Sequence, residues 1–383
     1  VLDAPLFAAI VDTLEETYPN TIRLSSGDNY IPGPFLSSGG DPTLAAAFKT
    51  AYESYYNTTF TNPPINLGSS IGRADISIMN FIGIEASALG NHEFDLGTTE
   101  IRTMIGGAGT STTTWFGAQF PYLSSNLNFS GDGNLSPIAT TNRLLLNTAF
   151  KSNPTETTAA IASKLKLAPS SIIIKGGQKI GIVGATTQVL ASISSPGATT
   201  VVGGNENDMN ILAGIVQPVV NSLIADGCNK IILLSHLQQI AFEQDLATKL
   251  SGVDIIISAG SNTLLADSND RLRLGDVAVG TYPFLATDLT GKIVPLVNTD
   301  GNYKYVGRLV VDFDSDGNLI PSSIDNAISG VYATDQQGLT DAWGANVANA
   351  FATGTKGYRV QLLTTAIGNI ITTKDGNLFG KTS

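Results

Sequence analysis

Leu89-Gly90-Asn91-His92-Glu93-Phe94-Asp95-Leu96-Gly97 is the stretch on which the reading of this chain turns. It follows a short apolar run, Glu85 to Leu89, that reads as a buried strand, and it precedes Gly97 to Ile105, where apolar residues recur at helical spacing. The same design recurs upstream and downstream. Ile22 to Ser25 is a short strand that opens into Ser26-Gly27-Asp28-Asn29, and the apolar run Lys230-Ile231-Ile232-Leu233-Leu234-Ser235-His236 closes on an imidazole. The whole sequence holds 2 histidines, and both lie in these places. Three strand-like runs therefore deliver metal-ligand side chains at their carboxyl ends, where α/β sheets build their sites.

Outward from these motifs the chain alternates between the two periods. Asp3-Ala4-Pro5 reads as a helix start, with Asp3 as N-cap, and Phe7, Ile10, Val11, Leu14 and Tyr18 carry the helix to Pro19. Pro42 to Tyr56 predicts a second helix, whereas Ala74 to Ile82 fits helix and strand equally. A strand is expected from Pro121 to Leu127, and Asn128 to Ala168 reads as a polar insertion with little core. Ile172 to Lys175 and Lys179 to Thr186 form a hairpin across Gly176-Gly177. Asp208 to Ala225 and Ile240 to Leu250 are helical, and Val253 to Ser258 is a strand. Ile293 to Asn298, Tyr303 to Phe313 and a short piece around Leu319 complete the strands. Units of βαβ type early and antiparallel strands late predict an α/β sandwich with mixed sheets. A domain boundary is expected at Gly330, where the composition turns to Ala, Thr, Gly and Gln. Residues 1–330 then form the main domain and 331–383 a linker.

Composition limits the partners. A net charge of −11 is unsuited to a nucleic-acid polymer or an anionic membrane, and a small anionic substrate would need a local cation. No apolar run reaches the ~18 residues of a membrane span. Scarce charge with abundant Gly, Ser, Thr and Asn is common in exported proteins, so a secreted, periplasmic or cell-surface location is expected. The sequence begins at Val1 with no basic or apolar leader, as it would once a signal peptide had been removed. Cys228 stands alone and excludes an intramolecular disulfide.

Gly-Asp at 27–28, Gly-Asn-His-Glu-Phe-Asp at 90–95 and Ser-His at 235–236, in this order and each after a strand, resemble the calcineurin-like metallophosphatases, and within them the 5′-nucleotidase family. That resemblance extends over roughly Val1 to Phe313 and implies a four-layer α/β/β/α sandwich. It implies that Asp28, Asn91 and His236 are metal ligands and that His92 is the catalytic donor oriented by Asp95. Asp375 to Thr382 resembles the linker before that family's C-terminal substrate domain. Two family motifs differ here. The family opens with Asp-x-His before its first helix, and this chain starts at or just after that point. The family's Gly-His-x-His is replaced by Gly260-Ser261-Asn262-Thr263, so neutral oxygens stand in for two imidazoles, and oxygens are weaker donors to zinc-like ions. The expected cofactor is a divalent ion (Zn, Mn, Fe or Ca), one rather than two. Asn29, Ser261, Asn262 and Thr263 are expected to line the pocket.

Two functions follow from the resemblance. The first is metal-dependent hydrolysis of phosphate esters, in the manner of a 5′-nucleotidase or an alkaline phosphatase, by an exported enzyme. The second is a catalytically impaired relative that serves as an extracellular structural component and self-assembles. Asp312 to Gly317 resembles half a calcium loop, but Ser323 occupies the position where such a loop needs Glu, so a hairpin turn is expected there.

Overall fold

The computed structural model describes residues 3–60, 70–110, 113–144 and 147–375. Leu24–Ser25 (β1), Ala86–Ala88 (β2), Tyr122–Leu123 (β3) and Leu167–Ala168 (β4) form one sheet in that order, parallel throughout. Parallel neighbours need crossovers. Helices Ala45–Tyr56 and Arg73–Ile82 supply the first, and helix Thr98–Ile105 belongs to the second. Arg73–Ile82 settles the segment whose period was ambiguous. Every residue from Ala74 to Ile82 is buried, the polar Ser77 and Asn80 included, so the polar stripe of the helix faces protein rather than solvent.

The second sheet contains Ser170–Lys175 (β5), Gln178–Thr186 (β6), Ile231–His236 (β7), Ile255–Ala259 (β8), Phe284–Thr287 (β9) and Ile293–Val297 (β10), in the order β9-β10-β8-β7-β6-β5. Its four central strands are parallel, and only the two edge pairs are antiparallel. The late strands are thus more parallel than their sequence suggested, because helices Met209–Ala225 and Ile240–Ala247 provide the crossovers.

The two sheets pack face to face through Ala86, Ala88, Leu123 and Ala168 on one side and Ile182, Ile232, Leu234 and Ile255 on the other. Helices Ala4–Glu15, Ala45–Tyr56 and Arg73–Ile82 cover the outer face of the first sheet. Met209–Ala225 and Ile240–Ala247 cover the second. The result is the four-layer α/β/β/α sandwich. Among the described residues no helix is long and apolar enough to cross a membrane.

Several expectations need correction. Asp3 does not cap its helix; its carboxylate instead pairs with Arg273 at 2.6 Å. Residues 128–168 are not coreless, since Leu135, Ile138, Leu144, Phe150, Ile161 and Leu167 are all buried. Lys166 is buried among them and donates to Ala118 O and Phe150 O, and burial pushes its ammonium down to about 7. Tyr303 to Phe313 is two strands, Tyr305–Arg308 and Asp312–Phe313. The second pairs with Leu319–Ile320, and the turn between them engages Asp314, whose Oδ1 accepts the amides of Asp316 and Asn318.

The boundary at Gly330 falls inside the fold. Gly330–Ala333 pairs with Tyr305–Arg308, and helix Lys356–Asp375 packs on the first helix through Val360, Leu363 and Ile367. Trp343 Nε1 donates to Ala9 O at 2.8 Å, and Lys356 N donates to Asp12 Oδ2 at 2.9 Å. The expected linker motif from Gly376 onward lies outside the described residues.

Candidate active site

Strands β1, β2, β7 and β8 end at one edge of the sandwich. After β1 the chain turns through Gly27 (φ 98°) and Asp28 (φ 55°). A Cβ on Gly27 would lie 2.5 Å from Gly90 N, so only glycine lets the two loops touch while holding a left-handed conformation. Glu93 clasps the loops together. Its buried carboxylate accepts the amides of Asp28 (2.9 Å), Asn29 (2.7 Å) and Gly90 (2.7 Å), and its carbonyl accepts Tyr30 Oη at 3.2 Å. Burial, with the Asp28 carboxylate nearby, pushes the Glu93 acid up to about 7, while the amides pull the other way. Nothing in the sequence distinguished Glu93 from a solvated acid.

Asp28 is aimed by this clasp. Its Oδ1 accepts His92 N at 2.9 Å, and its Oδ2 lies 3.0 Å from His236 Nε2. Asn91 Oδ1 lies 3.2 Å from the same nitrogen. On the far side of the ring, His236 Nδ1 is 2.7 Å from Ser26 O, a group that only accepts, so Nδ1 carries the proton. Nε2 then presents a lone pair to two oxygens that also present lone pairs. Burial opposes charge on His236, but the Asp28 carboxylate and the Ser26 carbonyl prevail and raise its pKa. Burial likewise opposes charge on Asp28, but His236 and the His92 amide hold its carboxyl below the usual range. Both shifts express a demand for positive charge at the centre of the three groups, which a second proton or a divalent cation satisfies.

The donor spacing suits a cation. Neighbouring ligands of a tetrahedral ion with bonds of ~2.0–2.1 Å stand about 3.3 Å apart, close to the 3.0 and 3.2 Å seen here. Among the described residues no group of three or more His, Cys, Asp and Glu side chains is placed to hold a metal. At this centre an imidazole and a carboxylate are joined by an amide oxygen instead.

His92 stands beside the centre, with 37% of its side chain exposed. Its Nδ1 is 2.5 Å from Asp95 Oδ2, and Asp95 Oδ1 accepts Ser194 Oγ at 2.9 Å. Asp95 fixes a proton on Nδ1 and leaves Nε2 as the end that can meet a ligand. Ser194 carried no signal in the sequence, because it reaches Asp95 only through the fold.

The expected pocket-lining residues are placed otherwise. Asn29 is buried, with Nδ2 donating to Ser87 Oγ (2.8 Å) and Tyr122 Oη (3.0 Å) and Oδ1 accepting Ser25 Oγ (2.6 Å). It ties the loop to the sheet and does not line a pocket. The 260–263 loop does stay at the site. A Cβ on Gly260 (φ 89°) would come within 2.9 Å of both His236 Nε2 and Gln238 N. Its hydroxyls are nonetheless engaged elsewhere, Ser261 Oγ with Thr263 Oγ1 at 2.7 Å and with Asn298 Nδ2 at 3.2 Å. Asn262 is exposed. Among the described residues none of these three side chains is hydrogen-bonded to Asp28, Asn91 or His236. Gln238, which the sequence did not single out, reaches the centre instead, its Nε2 donating to Asn91 Oδ1 at 2.6 Å.

No family model matches the chain. It is 35% identical to the 5′-nucleotidase of Mus musculus over 246 residues, covering 64% of this chain and 34% of that one. It is 32% identical to the snake venom 5′-nucleotidase of Gloydius brevicauda over 254 residues, covering 66% and 35%. The chain thus spans about a third of the length of these curated relatives. In fold it resembles a 5′-nucleotidase precursor from Thermus thermophilus, with a TM-score of 0.63 at 23% identity over 96% of this chain and 53% of that one. It also resembles the NAD nucleotidase of Haemophilus influenzae, with a TM-score of 0.59 at 20% identity over 96% and 61%.

Proposed function

We propose that this chain, similar as it is to 5′-nucleotidases, is a metal-dependent hydrolase of small anionic phosphate esters, nucleotides among them. The observation that carries the reading is the meeting of Asp28 Oδ2, Asn91 Oδ1 and His236 Nε2 beside the His92–Asp95 pair. Asp28, Asn91 and His236 are the residues that would hold a divalent ion (Zn, Mn, Fe or Ca), one rather than two. Such an ion, when bound, polarises a phosphoryl oxygen and acidifies water. In a chain of net charge −11 it also provides the local positive charge that an anionic substrate needs.

The protein's own groups divide the remaining work. Asp28 contributes charge, His236 a nitrogen held in one tautomer by Ser26 O, and Asn91 an oxygen without charge. His92 Nε2 is the atom that moves the proton: in the doubly protonated ring Nδ1–H stays with Asp95 while Nε2–H passes to the departing oxygen as the ester bond breaks, and the ring is left neutral. Composition supports an exported enzyme that acts on small molecules rather than on a nucleic-acid polymer.

One observation favours a second reading. The Ser261–Thr263 hydroxyl pair offers no imidazole at the centre, as expected of an impaired relative with a structural role and self-assembly. The two readings separate in one assay. Purified protein is tested on an aryl phosphate and a nucleoside monophosphate, before and after chelation and again with Mn2+ or Zn2+ restored. Hydrolysis is expected to vanish on chelation and return with metal. A folded protein inactive under every condition would rule out catalysis and favour the structural role.

A further inference from the structure

We propose that Gln238 is a fourth protein ligand of the cation centre, taking the part that the 260–263 loop has given up. This inference rests on the reading of Asp28, Asn91 and His236 as metal ligands. It starts from the backbone. Gln238 has φ 73°, a left-handed conformation in a residue that is not glycine, and such strain persists where surrounding structure enforces it. The enforcement is visible. The 260 loop presses so closely on this peptide that a Cβ on Gly260 would lie 2.9 Å from Gln238 N and 3.0 Å from its Cα. The hydroxyls of that loop, on Ser261 and Thr263, bond to each other rather than to the centre. The polar side chain that does arrive at Asn91 Oδ1 is the Gln238 amide.

The amide donates its NH2 group to Asn91 Oδ1. A cation on Asn91 Oδ1 would repel that NH2 and attract an oxygen. Rotating the terminal amide by half a turn exchanges Nε2 for Oε1 and leaves the heavy-atom positions almost unchanged. Adjacent oxygens around an octahedral ion with bonds of ~2.1 Å are about 3 Å apart, so the present 2.6 Å needs only slight widening. The donor set becomes three oxygens and one nitrogen, with positions left for water and substrate.

Glycine favours φ near 73°, so Gln238→Gly removes the side chain without threatening the fold. Mn2+ binding is measured by calorimetry and by electron paramagnetic resonance of the bound ion, and folding by thermal unfolding in chelator. Gln238→Gly is expected to unfold at or above the temperature of the unaltered protein, yet to bind Mn2+ about 10- to 100-fold more weakly. Gln238→Glu, which keeps an oxygen but has no NH2, is expected to bind at least as tightly as the unaltered protein. Unchanged affinity in Gln238→Gly would overturn the proposal. So would a Gln238→Glu as weak as Gln238→Gly, because the NH2 donor would then be what matters. If the unaltered protein bound no Mn2+, the cation reading of Asp28, Asn91 and His236 would itself fail and take this proposal with it.

Discussion

Glu93→Ala should destabilise the chain by about 3–5 kcal/mol, the range expected when one partner of a buried charged network is removed. The substitution leaves the amides of Asp28, Asn29 and Gly90 without their acceptor, a carboxylate that is itself fully buried. Each stranded donor costs about 1–3 kcal/mol, less whatever water recovers. Glu93→Gln should be milder, about 1–3 kcal/mol, because an amide keeps one acceptor and turns NH2 towards one of the donors. Chemical denaturation of the three proteins in chelator measures this directly. If Glu93→Ala fell within about 1 kcal/mol of the unaltered chain, the low end of what a single stranded donor costs, Glu93 would not be the clasp between the two loops. A loss of metal binding should accompany the loss of stability, since Asp28 is aimed by the loop that Glu93 holds.

His92→Ala should lower turnover of an aryl phosphate by about 10²- to 10⁴-fold, the usual share of a positioned acid, and leave metal content unchanged. His92 is partly exposed, pairs with Asp95 and lies outside the three-donor centre. His236→Ala should lower turnover and metal content together, because its Nε2 is one of the three donors. Steady-state kinetics and metal analysis on both variants separate the roles. Identical behaviour in the two would show that His92 and His236 act as one unit and that the division proposed here is wrong.

What the sequence revealed about this site follows its chemistry. Apolar runs that end in Asp28, Asn91 and His236 are visible because strands and their carboxyl-end loops leave a pattern along the chain. The pairing of His92 with Asp95 was implied by the resemblance of residues 90–95 to the metallophosphatase motif. Glu93 stayed hidden because an acid inside a motif looks the same whether it is solvated or satisfied by three backbone amides. Ser194 and Gln238 stayed hidden because their contacts to Asp95 and Asn91 exist only in three dimensions. Asn29 was misread because its neighbour faces the centre, whereas its own amide bonds Ser87 and Tyr122.

The fold shows the same division. Helix Arg73–Ile82 carries Arg73, Ser77 and Asn80 along one stripe, but the stripe turns inward, where Ser77 bonds Tyr52 and Asn80 bonds Gly117 O. The segment after Gly330 looked like a linker on composition, yet Val360, Leu363 and Ile367 recur at helical spacing and are fully buried. That spacing was the signal available, diluted by Thr and Gly at the neighbouring positions. The 128–168 segment misled for a related reason: its buried residues are separated by polar loops rather than gathered in one long run.

The central claim is that Asp28, Asn91 and His236 jointly hold one divalent ion. It is tested most directly by counting Mn2+ bound per chain after saturation and removal of free ion, in the unaltered protein and in Asp28→Ala. The account predicts one equivalent in the first and none in the second. No bound metal in the unaltered protein, or the same equivalent in both, would contradict it.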